Sequence, residues 1–287
     1  MSSRIIVHPA GFEVVEIDNK FSRAKIAALG AHLFEYVPHG IDPVIWVSRE
    51  SNFTPGKAIR GGIPVCTPYF GRIDAEHPSH GVARTAIWQI SDVRDHEDGA
   101  SSVRLASEFA GADWHPAFAA SMRFEIGSEL KAQLEIRNLE PVEREFSGAL
   151  HTYFAVSEIT QVAVSGFDGC PYADKAPGAD PTAQPVQHGD VTFQGEVDRI
   201  YYPCAQAAVI HDPGFRRDIV VEKSNSNSTV VWNPWVDKSR KLPDFGNDEY
   251  HTMLCIESTH AGADVRRVPA GGTLTLGQKI TVKLWQN

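Results

Sequence analysis

Residues 122–136 read MRFEIGSELKAQLEI. Met122, Phe124, Ile126, Leu130, Ala132, Leu134 and Ile136 share one parity, while Arg123, Glu125, Glu129, Lys131, Gln133 and Glu135 share the other. Side chains on an extended chain alternate between two faces, so the stretch predicts two half-buried strands joined by a turn at Gly127-Ser128. The same alternation returns near the C-terminus, where Ile280, Val282 and Leu284 interleave with Thr281 and Lys283. Further strands are predicted at 12–17, 24–36, 44–47, 86–93, 103–109, 146–156, 219–223, 230–232 and 253–256. Turn clusters such as VPHGIDP, DHEDGAS and VPAGGT separate them. No window of helical length carries an apolar face of period 3.6. Many short strands with polar turns between them imply a mainly β protein, a sandwich or barrel of antiparallel sheets. The polar, Pro- and Gly-containing segment 174–189 is expected to be a long surface loop. Strand patterns resume on both sides of it, so one domain over 1–287 is expected.

The chain has 287 residues, 42% hydrophobic and 22% charged, which is ample for a large core. Its net charge of -9 argues against general nucleic-acid affinity, and any anion would have to be met by a local gathering of cations. The four cysteines, Cys66, Cys170, Cys204 and Cys255, are far apart, lie among apolar or aromatic neighbours and form no CxxC pair. They are expected to be buried, reduced thiols of a cytoplasmic protein. The apolar run after the first residues is too short for a secretory signal, and no stretch approaches the roughly 18 apolar residues of a membrane span. The acidic surface gives no sign of a large interface, so a monomer or weak homo-oligomer is expected.

Common catalytic motifs are missing. There is no GxGxxG after a strand, no Walker sequence, and Ser165 in AVSGFDG lacks the first glycine of a nucleophile elbow. His77 and His80 stand three apart in EHPSHG, without further ligands at metal-site spacing, and no metal is expected. The informative polar residues sit inside strand patterns: His151 in FSGALHTYFAV, Glu257 after MLCI, Asp198 in GEVDRIYY and Arg84 in HGVART. Taken singly, each has a structural explanation as a hydrogen-bonded core-edge histidine, a strand-end carboxylate or a solvated arginine. Taken together, a His and a Glu on one β-scaffold suit chemistry that takes a proton from a hydroxyl and gives one to a nearby oxygen, as sugar ring opening does. RGGIPVCTPYFG, residues 60–71, adds Arg60 at the head of a segment whose two prolines disfavour regular structure.

RGGIPVCTPYFG, HGVARTAIW, ALHTYFAVSEI, EVDRIYY, VVWNPWVDK and DEYHTMLCIES occur in an order that resembles the hexose-6-phosphate mutarotases. These are the glucose-6-phosphate 1-epimerase-like branch of the aldose 1-epimerase family. The resemblance spans about residues 10–285. It implies a large antiparallel β-sandwich of the galactose mutarotase-like type and a cofactor-free interconversion of the α and β anomers of a hexose 6-phosphate. By the same resemblance His151 would be the general acid and Glu257 the base. Asp198 and His80 would bind the sugar, and Arg60 and Arg84, with Lys238 as a further candidate, would bind the phosphate. Two positions depart from the pattern of relatives: Ser79 stands where some carry Gln, and Thr67 where many carry Trp. Ser79 would remove a sugar contact and Thr67 would alter the pocket wall. The alternatives are an aldose 1-epimerase acting on a neutral sugar, or a catalytically silent carbohydrate-binding protein of the same fold.

Overall fold

The computed structural model describes residues 3–286. The alternating stretch forms the hairpin of strands Phe118–Ile126 and Leu130–Asn138, with alternate residues buried along both. Met122, Phe124, Ile126, Leu130 and Leu134 are fully buried. Each such side chain contributes about 1.5–3 kcal/mol relative to exposure. A one-residue slip would put the charged set inside, so the pattern fixes the register.

This hairpin lies in a nine-stranded sheet, ordered Val191–Thr192, Ala163–Ser165, Ala208–Asp212, Arg217–Ser224, Thr273–Leu284, Leu130–Asn138, Phe118–Ile126, Ser101–Phe109 and Gln89–Asp95. A second large sheet, of seven strands, runs Tyr172–Asp174, Val197–Tyr201, Ser228–Asn233, Met253–His260, Gly148–Leu150 and Val65–Cys66, with Tyr153–Ala155 also paired to Met253–His260. All these strand pairs are antiparallel. Gln278 of the first sheet joins the second, donating to the Ile256 carbonyl and to Ser258 Oγ and accepting from Thr152. A four-stranded meander, Ser3–Val7 through His32–Pro38, completes the large elements. The fold is thus the antiparallel β-sandwich that the resemblance implies, one of the two architectures that alternation allows. Helix is confined to Trp235–Ser239 and short 3₁₀ turns, and among the described residues no helix is long and apolar enough to cross a membrane.

Several strand boundaries differ from expectation. The stretch 24–36 is two strands, because the chain turns between Ala27 and His32, with Gly30 and Ala31 at positive φ. Residues 44–47 make isolated bridges in place of a strand. The stretch 146–156 is three short pieces, and the strand expected at 253–256 runs on to His260. The segment after Asp174 carries no strand until Val191, as the loop reading expects.

The cysteine expectation holds at two positions and fails at two. Cys66 and Cys255 are free and buried, but Cys170 and Cys204 form a disulfide. Pairing of Tyr172 with Tyr201 brings the residues just outside that rung together, leaving the two Cα atoms 5.8 Å apart.

Candidate active site

The seven-stranded sheet has one face toward its partner sheet and the other toward a cleft of about 490 Å³. Ser258 Oγ meets Gln278 of the partner sheet, and its neighbour Glu257, on the opposite face of the strand, points to the cleft. Cross-strand pairing then assembles the floor. Leu150 faces Ser258 and Tyr153 faces Cys255, so the same register sets His151 opposite Glu257. On the other side Val230 faces Glu257 and Ile200 faces Val230. One rung along, Tyr153, Cys255, Trp232 and Asp198 form a parallel row. Directly opposed side chains of an antiparallel pair share a face and lie close together. His151 Nε2 is 3.3 Å from Glu257 Oε1.

His151 and Thr152 fall in the gap between Gly148–Leu150 and Tyr153–Ala155. Glycine is required at 148, where a Cβ would lie 2.6 Å from the Cys66 carbonyl oxygen. In the gap, the His151 N–H donates to the Pro64 carbonyl, and Thr152 is tied to Gln278 beneath. The imidazole stacks on Tyr153, with ring centroids 4.9 Å apart and planes 11° from parallel, and meets the edges of Trp232 and His80.

Charge is expensive on this floor. His151 is 8% and Glu257 1% exposed. Burial, and next the Asp198 carboxylate, push the Glu257 carboxyl well above its ordinary range, against the pull of Arg84. Burial, then His80, Arg84 and Arg60, push the His151 imidazole well below its own. Both shifts favour an uncharged pair holding one proton. Burial with Arg84 and Arg60 lowers His80 to about 3, so it is neutral; its Nδ1 accepts from the Gly71 N–H, which leaves the proton on Nε2.

Arg60 is anchored rather than solvated. His32 donates through Nε2 to the Gly61 carbonyl, the Gly62 N–H to Trp46, and the Ser48 N–H to the Arg60 carbonyl. The glycine pair is compulsory: a Cβ on Gly61 would lie 2.4 Å from Val47 Cα, and one on Gly62 2.2 Å from His32 Nε2. The guanidinium donates to Asp244 and to the Tyr153 hydroxyl, both at 3.1 Å. Arg84 donates to the carbonyl and hydroxyl of Ser79, at 2.8 and 3.1 Å. Ser79 therefore supports an arginine at the cleft. Thr67 is fully buried and is not among the residues lining the cleft.

The seven residues singled out in the sequence, Arg60, His80, Arg84, His151, Asp198, Lys238 and Glu257, all line this one cleft. Their surroundings differ from what their types suggest. Lys238 is bound to Glu196 at 2.7 Å and to Asp198 at 3.0 Å, so its charge is matched within the protein. Arg72 and Lys175 also line the cleft and have no ion-pair partner among the described residues. Sequence reading missed both, since each lies in a polar loop among other charged residues. It also missed Thr152 and Gln278, whose only signal was a polar residue within an apolar strand pattern.

The sequence profile of the family described as aldose 1-epimerase matches residues 13–281. A protein of Escherichia coli (strain K12), provisionally named a glucose-6-phosphate 1-epimerase, is 32% identical over 276 residues, which cover 94% of this chain and 90% of that one. A protein of Salmonella typhimurium with the same provisional name is 32% identical over 257 residues, covering 88% and 84%. The crystal structure of a protein from Salmonella typhimurium, titled provisionally as a mutarotase, superposes with a TM-score of 0.88 at 28% identity, covering 98% of this chain and 97% of that one. With the sandwich, the cleft and these matches in agreement, the chain belongs to the aldose 1-epimerase family and is an isomerase of the mutarotase type.

Proposed function

We propose that the protein interconverts the α and β anomers of an aldohexose 6-phosphate, with His151 and Glu257 as the acid–base pair. One observation carries the choice of substrate. In a chain of net charge -9, five cations line the cleft of the His–Glu pair, and three of them, Arg72, Arg84 and Lys175, have no ion-pair partner among the described residues. An acidic protein that gathers uncompensated cations in one cleft is built for an anionic ligand. Arg60, balanced by Asp244, adds its spare N–H groups, and Lys238 orients Asp198, which accepts from sugar hydroxyls. The provisional names of the relatives support the same substrate.

The sugar's O1 and O5 are both bonded to C1, so two contacting side chains can serve both oxygens. Glu257 takes the proton from O1; C1=O1 forms as the C1–O5 bond breaks; His151 gives a proton to O5. Rotation about C1–C2 presents the other face of the aldehyde, and the reverse transfers close the ring. The pair holds one proton before, during and after, so nothing else is consumed. At ordinary values, 6.5 for His and 4.5 for Glu, that proton would be trapped on the imidazole. The opposed shifts favour the uncharged pair, with that proton on Glu257, so it first crosses the 3.3 Å contact to His151, which frees the carboxylate to take the proton from O1. His80 donates from Nε2 toward the ring oxygen.

The test is anomer-exchange NMR on α-glucose 6-phosphate and on α-glucose. The phosphosugar is expected to be favoured at least tenfold in kcat/KM. Removal of Arg72, Arg84 or Lys175 should erase about 1.5–3 kcal/mol of that preference, roughly ten- to 150-fold, while exchange of glucose continues. Equal rates on the two sugars would instead favour a neutral-sugar epimerase.

A further inference from the structure

We propose that His151, Glu257 and Cys255 form a binding site for a thiophilic divalent cation such as Zn²⁺, and that its occupancy stops anomer exchange. The binding half stands on geometry alone; the inhibitory half rests on the roles given above to His151 and Glu257.

Cys255 lies one rung from Glu257 on the same strand and the same face, beneath the cleft floor. One donor atom from each of the three residues lies within 4.8 Å of the other two, and all three residues are buried. Two further observations show that these side chains have unused ligand capacity. His151 Nδ1 and Glu257 Oε2 are buried with no hydrogen-bond partner, and the Cys255 thiol is free. Zinc bonds of about 2.0–2.3 Å at tetrahedral angles put ligand atoms roughly 3.3–3.6 Å apart. His151 Nε2 and Glu257 Oε1 already stand 3.3 Å apart, and with all three donor atoms within 4.8 Å of one another the thiol has at most about 1.5 Å to close. A set of one sulfur, one imidazole and one carboxylate suits zinc, cadmium or cobalt and is wrong for magnesium or calcium, which want oxygen ligands.

Taken with a neutral thiol and one proton within the His–Glu pair, the exchange of protons for the metal balances in charge. Binding expels both protons and leaves a dication beside one thiolate and one carboxylate, so the floor again carries no net charge. Three protein ligands leave the fourth position open to the cleft, where a sugar hydroxyl would compete. An ion there occupies the lone pairs that would take and give the proton.

The experiment titrates the whole protein with Co²⁺ and Zn²⁺. Co²⁺ is expected to produce a thiolate-to-cobalt charge-transfer band at one equivalent. Zn²⁺ should displace it, cut anomer exchange at least tenfold at one equivalent, and release the block on addition of EDTA. Cys255→Ser should abolish the band and weaken zinc binding at least tenfold by calorimetry. The variant's rate, relative to its own zinc-free rate, should then resist zinc at the concentration that stops the parent. Cys66→Ser, which alters the other free thiol, should leave the band intact. No thiolate band in the unaltered protein, or a band that survives Cys255→Ser, overturns the site. Exchange that continues while the band is fully developed overturns the inhibitory half, and with it the roles of His151 and Glu257.

Discussion

Replacing Glu257 with Gln separates chemistry from folding. The amide keeps the volume of a side chain that is 1% exposed, and its N–H can donate to His151 Nε2 across the same 3.3 Å. What it loses is the capacity to take a proton. General acid–base transfer contributes about 10²–10⁴-fold, or about 2.7–5.5 kcal/mol of barrier, so exchange of α-glucose 6-phosphate should fall by that factor with little change in KM. Stability should move the other way. The folded carboxyl titrates well above 4.5, so its contribution is complete below the unfolded value and is lost as pH rises through the folded one. Gln has no such loss, and at about pH 8 the variant should melt no lower than the parent. NMR exchange rates and thermal unfolding at that pH supply both readings. Activity within threefold of the parent would refute the assignment of Glu257 as the base. A melting point lowered by more than about 4 °C, roughly 1–2 kcal/mol here, would mean that the activity loss reported damage to the sheet.

The opposed shifts of the pair also set a pH profile: the second proton is accepted only below the ordinary imidazole range, so kcat should stay level between about pH 7.5 and about pH 6. A fall centred on 6.5, the ordinary imidazole value, would show His151 titrating as an exposed imidazole. His32, buried and lowered to about 3, stabilises the fold fully above its unfolded value of 6.5 and progressively less as pH falls toward 3. The cost is about 1.4 kcal/mol per pH unit, so His32→Gln should flatten the fall of melting temperature between about pH 6.5 and about pH 5, and unchanged slopes would exclude it. Gly62→Ala should cost about 2–5 kcal/mol in denaturant unfolding, from left-handed strain plus disruption of the His32–Gly61 hydrogen bond. Gly11→Ala, also at positive φ but with nothing within 4 Å, should cost only about 1–2 kcal/mol, and equal losses at both positions would show that the close packing of 60–63 is unimportant.

The strands at 118–126 and 130–138 were legible because alternation is a property of the extended backbone itself, and burial of one face follows wherever that face meets a core. The cleft residues were legible as a set through short motifs, and all seven converge. Three things were not legible. The gap at His151–Thr152 arises from partners far along the chain, the Pro64 carbonyl and Gln278, which no local pattern announces. The Cys170–Cys204 bond follows from pairing of Tyr172 with Tyr201 across a long loop. Above all, a basic residue looks the same in sequence whether its charge is spent or available. Asp244 matches Arg60, and Glu196 with Asp198 matches Lys238, leaving Arg72, Arg84 and Lys175 free of ion pairs among the described residues. Sequence by itself determined the sheet strands through side-chain alternation and, through motifs whose order resembles a known family, seven of the cleft residues, though not Arg72 or Lys175. Only the tertiary structure decided their charge states and partners, because desolvation and Coulomb interaction act through space between strands that the sequence keeps apart.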